Sequence, residues 1–78
     1  MLTKEERERR IKGGLRAERN RVDLSQKQVS DLTGYNTSTI SNWEKGAGSI
    51  GFEEAYALAD LYGVSLDQLA GRAFVTVA

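Results

Sequence analysis

Short hydrogen-bonding side chains line one face of the segment from residue 37 to residue 45, where a solvated helix would normally carry long charged ones. A helix turns by about 100° per residue, so Ile40 and Trp43 lie on one side of this segment. The other side collects Thr37, Ser38, Ser41 and Asn42. Ser, Thr and Asn are poor helix formers. They allow the backbone to come close to a hydrogen-bonding partner, such as the edge of a nucleic-acid base.

Several other kinds of chemistry are excluded by composition. The sequence has no Cys and no His, which removes disulfides, thiolate metal sites and the usual acid–base group near pH 7. We therefore expect no enzyme activity, no cofactor and no metal. No run approaches the ~18 apolar residues that cross a bilayer, and no hydrophobic signal segment follows the charged start "MLTKEERERR". We expect a cytoplasmic protein without a membrane partner.

The charges are segregated along the chain although the net charge is zero. Residues 1–21 hold eight basic and four acidic side chains, whereas residues 22–78 hold three basic and seven acidic ones. A basic end of this kind suits a polyanion. A mixed charge run at a helix start is more often a solvated face, and both interpretations stay open at this point.

Capping signals predict five helices. Three matches to the capping box, in which a hydroxyl and a Glu or Gln three residues later satisfy orphan backbone N–H groups, begin at Thr3, Ser25 and Ser65. Asn36 is predicted to cap the third helix and Gly51 to precede the fourth. Glycines stand where helices should stop, at positions 34, 46, 63 and 71. Two further glycines, at 13 and 14, lie inside the first helix, and we expect its N-terminal third to fray or kink.

Apolar residues at helical spacing predict a single small core in an all-α domain. The predicted buried stripes are Ile11, Leu15 and Val22 on the first helix, Val29 and Leu32 on the second, Ile40 and Trp43 on the third, and Phe52, Ala55, Tyr56, Ala59 and Tyr62 on the fourth, widened by Leu58 and Leu61. The last six residues, "AFVTVA", are apolar and β-prone. Three alternatives stay open for them from the sequence: a disordered end, part of a linker, or a strand that pairs with a second chain.

An ordered set of motifs resembles one known family. "LSQ" at 24–26, "LTG" at 32–34, "STISNWEKG" at 38–46 and "YGVSLDQL" at 62–69 look like the phage-repressor (Cro/C1-type, lambda-repressor-like) helix-turn-helix family, over roughly residues 11–71. The resemblance implies a five-helix DNA-binding domain whose second and third helices form the helix-turn-helix, with the third in the major groove. We assign this domain to residues 1–72, with 1–10 as an extension of helix 1 and 73–78 as an apolar tail.

If the third helix enters the major groove, particular side chains are expected to contact DNA, and the resemblance itself implies a phosphate contact for Gln26. The side chains expected at base edges are Thr37, Ser38, Ser41 and Asn42. Those expected at DNA phosphates are Gln26, Asn36, Thr39, Lys45 and Arg16. Lys45 suits a guanine as well, and Gln26 has a simpler alternative role in completing a helix cap. Arg19 and Glu44 match family positions that form an ion pair between helices 1 and 3.

The sequence departs from the family pattern after the third helix. Ala47, Gly48 and Ser49 carry no charge where relatives are usually basic, Ile50 replaces a common proline, and Asp23 replaces a common glycine. We expect a bacterial or phage-encoded transcriptional repressor that binds double-stranded operator DNA as a homodimer. The alternative is a protein-interaction module, such as an antitoxin or adaptor, that keeps the fold while its neutral loop and acidic fourth helix face a protein.

Overall fold

Five helices make up the fold in the computed structural model, which describes residues 1–46 and 49–71. In chain order the helices are α1 (Lys4–Arg21), α2 (Gln26–Thr33), α3 (Thr37–Lys45), α4 (Phe52–Tyr62) and α5 (Leu66–Leu69). The described residues form no strand, and the predicted all-α class is confirmed. The tail at 73–78, with its predicted strand, lies outside the described residues.

The predicted helix starts are set by side-chain caps in three cases. All three capping boxes are present, as at α2, where the Gln28 backbone N–H donates to Ser25 Oγ at 3.0 Å and the Ser25 N–H to Gln28 Oε1 at 2.8 Å. Asn36 occupies the N-cap position of α3, but its side chain makes no cap hydrogen bond, so that part of the prediction is wrong. Its backbone has ψ 142°, whereas the capping residues Thr3, Ser25 and Ser65 have ψ between 162° and 166°.

Helix α1 runs without interruption from Lys4 to Arg21 and has a complete capping box at its start, so the fraying expected of its N-terminal third is absent. The two glycines have different surroundings. Gly13 is exposed, and a Cβ built on it meets nothing within 4 Å. Gly14 is buried against α5, and a Cβ there would overlap the carbonyl oxygen of Leu69 and lie 2.8 Å from the Gly71 nitrogen. Gly14 is therefore needed for close helix packing.

The core is formed by seven buried apolar residues drawn from every helix: Leu15, Val29, Ile40, Leu58, Ala59, Tyr62 and Leu69. Three residues predicted on buried stripes instead face solvent, with exposed fractions of 63% for Leu32, 77% for Phe52 and 62% for Tyr56. Helix α4 is apolar on more than one face, so its sequence pattern does not identify the buried side. The buried face centres on Leu58, and Tyr56 lies more than 90° around the helix from it.

The chain reverses sharply between α1 and α2. Asp23 adopts a left-handed conformation with φ 58°, the only non-glycine residue in the described ranges to do so. Glycine adopts that conformation without a Cβ clash, whereas Asp tolerates it at some cost. There is therefore a physical reason for the glycine that relatives commonly have at this position.

Two kinds of feature are absent from residues 1–46 and 49–71. No helix there has the length and apolar character to cross a membrane. No three His, Cys, Asp or Glu side chains within 1–46 and 49–71 lie close enough together to hold a metal ion.

Candidate nucleic-acid interface

The turn between α2 and α3 is held by side-chain hydrogen bonds. Gly34 adopts a left-handed conformation with φ 81° and ends α2. Ser30 Oγ donates to the Tyr35 carbonyl at 2.6 Å, and Thr33 Oγ1 donates to the Val29 carbonyl at 2.7 Å while accepting from the Tyr35 N–H at 3.2 Å. These bonds fix the direction in which α3 leaves α2.

The inner face of α3 anchors it to the core. Ile40 is fully buried, and Trp43 is half-buried against the core. The ring of Trp43 meets that of Tyr35 edge-on, with centroids 5.4 Å apart and planes at 78°. Aromatic pairs prefer this geometry because the positive ring edge faces the negative ring face. The inner face of α3 is thereby packed, and its opposite face is directed outward.

The outer face of α3 carries the predicted base-reading residues. Thr37, Ser38 and Asn42 are exposed, and Ser41 is half-buried. Lys45 is the only long side chain on this face of α3, and it lies at the C-terminal end of the helix. The rest of the face therefore has no long side chain that would keep a duplex away from the helix. This face of the anchored helix is a row of short hydrogen-bond donors and acceptors.

The predicted phosphate-binding residues are divided between the helix-turn-helix and α1. Asn36 and Lys45 are exposed at the two ends of α3, and Thr39 is half-buried between them. Gln26 is half-buried at the start of α2. Arg16 is exposed on α1, one turn before Arg19.

A further basic residue, Lys12, approaches the C-terminal end of α3. A Cβ built on Gly46 would lie 3.3 Å from Lys12 Cδ, which places the Lys12 stem beside the residue that ends α3. The sequence shows Lys12 only as one of the eight basic residues at 1–21. Its position beside Gly46 depends on how α1 packs on α3, which no local motif reports.

Arg19 and Glu44 join α1 to α3 through a two-pronged ion pair. Arg19 Nε donates to Glu44 Oε2 at 2.7 Å and Arg19 Nη2 donates to Glu44 Oε1 at 2.9 Å, with the two side chains 13% and 6% exposed. Arg19 Nη1 also donates to the Leu24 carbonyl at 2.9 Å. A paired, hydrogen-bonded arrangement of this kind compensates for burying two charges.

The same pair changes the titration of its surroundings. The hydrogen bond to Glu44 raises the pKa of Arg19 above its ordinary value, against a smaller opposing effect of burial. Burial raises the pKa of Tyr62 to about 12, and the nearby Glu44 carboxylate adds to the rise. Both groups therefore keep their ordinary charge across the physiological range.

Glu44 has a second partner that the sequence did not indicate. Gln26 Nε2 donates to Glu44 Oε1 at 3.2 Å, which connects the first residue of α2 to the end of α3. The cap of α2 is made by Ser25 and Gln28, so the alternative role of Gln26 as a capping residue is not observed. The two bonded residues are 18 positions apart, and no periodic or local pattern links them.

Comparisons with known proteins agree with this geometry. A family model described as helix-turn-helix, of the Cro/C1 type, matches residues 15–69, which contain α2, α3, α4, α5 and the end of α1. A search of curated proteins found no match, and neither did a search of solved structures. The matched family is a DNA-binding family typical of transcription regulators and is not a family of enzymes. Since the match covers well over half of the sequence, the chain belongs to the helix-turn-helix family.

Proposed function

We propose that this protein is a repressor-like transcriptional regulator that reads operator DNA in the major groove with α3, in the cytoplasm of a bacterial or phage-infected cell. The observation that carries the proposal is the division of α3 into two faces. Ile40 and Glu44 are buried, whereas Thr37, Ser38 and Asn42 face outward on a helix that the turn and core hold in place.

The outer side chains of α3 favour particular bases. Asparagine pairs through two hydrogen bonds with N6 and N7 of adenine, and a threonine methyl contacts the methyl of thymine. With Asn42 exposed, Thr37 at the first turn and no arginine on α3, we expect operators rich in A·T pairs at the positions read. Ser38 and Ser41 accept either kind of pair.

The phosphate contacts come from fewer charges than is usual for a DNA-binding domain. Gln26 and Asn36 donate from helix starts, where the backbone N–H groups also favour an anion. Thr39 adds a hydroxyl, and Lys45, Arg16 and Lys12 supply the positive charge. If these three cations each neutralise one phosphate, the logarithm of affinity should fall with the logarithm of salt at a slope of about −3, since each phosphate contributes about −0.9.

We further propose that the protein acts as a symmetric homodimer. An apolar groove of about 320 Å³ lies between α1, α4 and α5 and is lined mainly by Ile11, Leu15, Phe52, Ala55, Leu66 and Leu69. Ala70 also lines it, and three residues later in the sequence begins the tail of Ala, Phe, Val and Thr. In a twofold dimer each groove would receive the apolar end of the second copy, because such an interface uses the same surface twice.

Sedimentation tests this dimer with matched variants. Deleting residues 73–78, or introducing Phe52→Ser, should shift the protein toward monomer and weaken operator binding. Leu32→Ser is the control, because Leu32 is an equally exposed apolar residue that does not line the groove. An unchanged mass in both test variants would contradict dimerisation through this groove.

Selection of bound sequences from random duplex DNA tests the proposed function itself. We expect enrichment of a two-part site, with half-sites about one helical turn apart, or a multiple of this, as the symmetry of a dimer requires. A set of enriched sequences with no common motif, at low salt, would contradict operator reading by α3.

A second candidate function is supported by the surface of α4. Phe52 and Tyr56 are exposed on the helix that also begins with Glu53 and Glu54, which gives it an apolar and acidic surface. As an antitoxin or adaptor, the chain would present this surface to another protein. In that case weak DNA binding would show no sequence preference, and Tyr56→Ser would abolish capture of the partner without changing the mass of the isolated protein.

A further inference from the structure

Glu44 accepts three hydrogen bonds from two different helices. Arg19 on α1 donates two of them, at 2.7 and 2.9 Å, and Gln26 on α2 donates the third at 3.2 Å. A carboxylate that served only as a partner for Arg19 would be satisfied by the arginine fork. The third bond instead holds a side chain at the edge of the proposed DNA-binding surface.

This bond fixes the orientation of the Gln26 amide. A glutamine amide presents a donor NH₂ group on one side and an acceptor oxygen on the other. A carboxylate accepts hydrogen bonds only, so the NH₂ group of Gln26 must face Glu44. One of its two N–H bonds is occupied by Glu44, and the other can donate to a second acceptor. A Gln26 turned the other way would direct its oxygen at the Glu44 carboxylate and be repelled, so Glu44 selects one orientation of the amide. A DNA phosphate accepts only, so the free N–H is the group of Gln26 that can bond to it.

We infer that Glu44 is a positioning residue for DNA binding, which orients Gln26 so that its second N–H donates to a phosphate. The inference rests on the proposed contact between Gln26 and phosphate. It also explains why a buried acid beside a polyanion does not oppose binding, because Arg19 balances its charge. The ion pair that joins α1 to α3 thereby sets a contact made by α2.

A double-mutant cycle on DNA affinity tests the inference, with a selected duplex and a scrambled duplex at low salt as the probes. Gln26→Ala should weaken both duplexes by roughly tenfold, the value of one hydrogen bond to a charged group. Glu44→Gln keeps the side-chain shape but lets Gln26 bond in either orientation. In that background Gln26→Ala should cost no more than about twofold, since the oriented contact is already lost.

Arg19→Lys separates positioning from a general loss of stability. This variant breaks the arginine fork but leaves the carboxylate that faces Gln26, so Gln26→Ala should still cost roughly tenfold in its background. Equal loss of the Gln26 effect in Arg19→Lys and Glu44→Gln would reduce Glu44 to a folding role and overturn the inference. Additive effects of Gln26→Ala and Glu44→Gln would overturn it too, while leaving the phosphate contact intact. If Gln26→Ala changes neither duplex, the phosphate contact fails and the inference fails with it, although base reading by α3 could still hold.

A measurement without DNA covers the case in which Glu44→Gln does not fold. In the wild-type protein, nuclear magnetic resonance can compare the side-chain NH₂ groups of three glutamines. Gln28 and Gln68 use their amide oxygens in capping boxes, whereas Gln26 uses its NH₂ group on Glu44. The NH₂ protons of Gln26 should therefore exchange with water more slowly than those of the other two. Equal exchange rates would overturn the inference.

Discussion

Replacing the adjacent glycines of α1 by alanine should change stability in opposite directions. At Gly13 the new methyl group meets nothing within 4 Å, so the substitution only removes the conformational cost of glycine in a helix. Gly13→Ala should stabilise the protein by about 0.5–1 kcal/mol.

At Gly14 the same gain in helix propensity is outweighed by a clash with backbone atoms. The new Cβ would overlap the Leu69 carbonyl oxygen and lie 2.9 Å from the Leu69 carbonyl carbon, so no change of rotamer can relieve the contact. Helix α5 would have to withdraw, which exposes part of Leu69. Full burial of such a side chain contributes about 1.5–3 kcal/mol, and overpacking costs a similar amount. Gly14→Ala should therefore lose about 2 kcal/mol net.

Thermal and urea unfolding measure both variants directly. For a domain of this size 1 kcal/mol corresponds to about 4–8 °C in Tm, so Gly14→Ala should lower Tm by about 8–16 °C while Gly13→Ala raises it by a few degrees. A Gly14→Ala protein as stable as Gly13→Ala would show that α1 and α5 do not pack as closely as described.

Three further substitutions test other parts of the structure. Arg19→Ala should destabilise the protein by about 3–5 kcal/mol, because Glu44 stays buried without its charge partner. A double-mutant cycle with Glu44→Ala that returned zero coupling would contradict the ion pair. Tyr62, with its pKa raised to about 12, contributes stability that is fully present below pH 10 and is lost as pH rises toward 12. In urea titrations at a series of pH values, Tyr62→Phe should therefore lose less free energy of unfolding between pH 10 and pH 12 than the wild type does. An unchanged pH profile would argue against the burial of Tyr62. Asp23→Gly should stabilise by about 1 kcal/mol, since it relieves a left-handed residue, and a loss of stability would contradict that conformation.

The parts of the fold that were predictable from sequence depend on local chemistry. A capping box satisfies backbone groups within four residues, and Thr3, Ser25 and Ser65 therefore mark helix starts wherever the helices later pack. The two faces of α3 follow from helical periodicity alone, since Ile40 is buried and Asn42 exposed as the spacing predicts.

The parts that were not predictable depend on contacts between distant segments. Helix α4 has apolar residues on several faces, and only the position of α1 and α5 decides that Leu58 is buried while Tyr56 is exposed. Gly14 looks like a weak point in a helix until α5 is placed against it. The hydrogen bond from Gln26 to Glu44 also depends on distant segments, because the α2–α3 turn and the Arg19–Glu44 ion pair bring the two side chains together.

Competition binding of Asn42→Ala to single-base variants of the selected operator tests whether α3 reads bases. We expect a loss of about 1–3 kcal/mol on the best operator and a relaxed preference at one base pair. Gln26→Ala serves as the matched control, and it should weaken every variant alike because phosphates carry no sequence information. If Asn42→Ala instead lowered affinity equally for all variants, Asn42 would not read bases and specificity would have to come from another part of the protein.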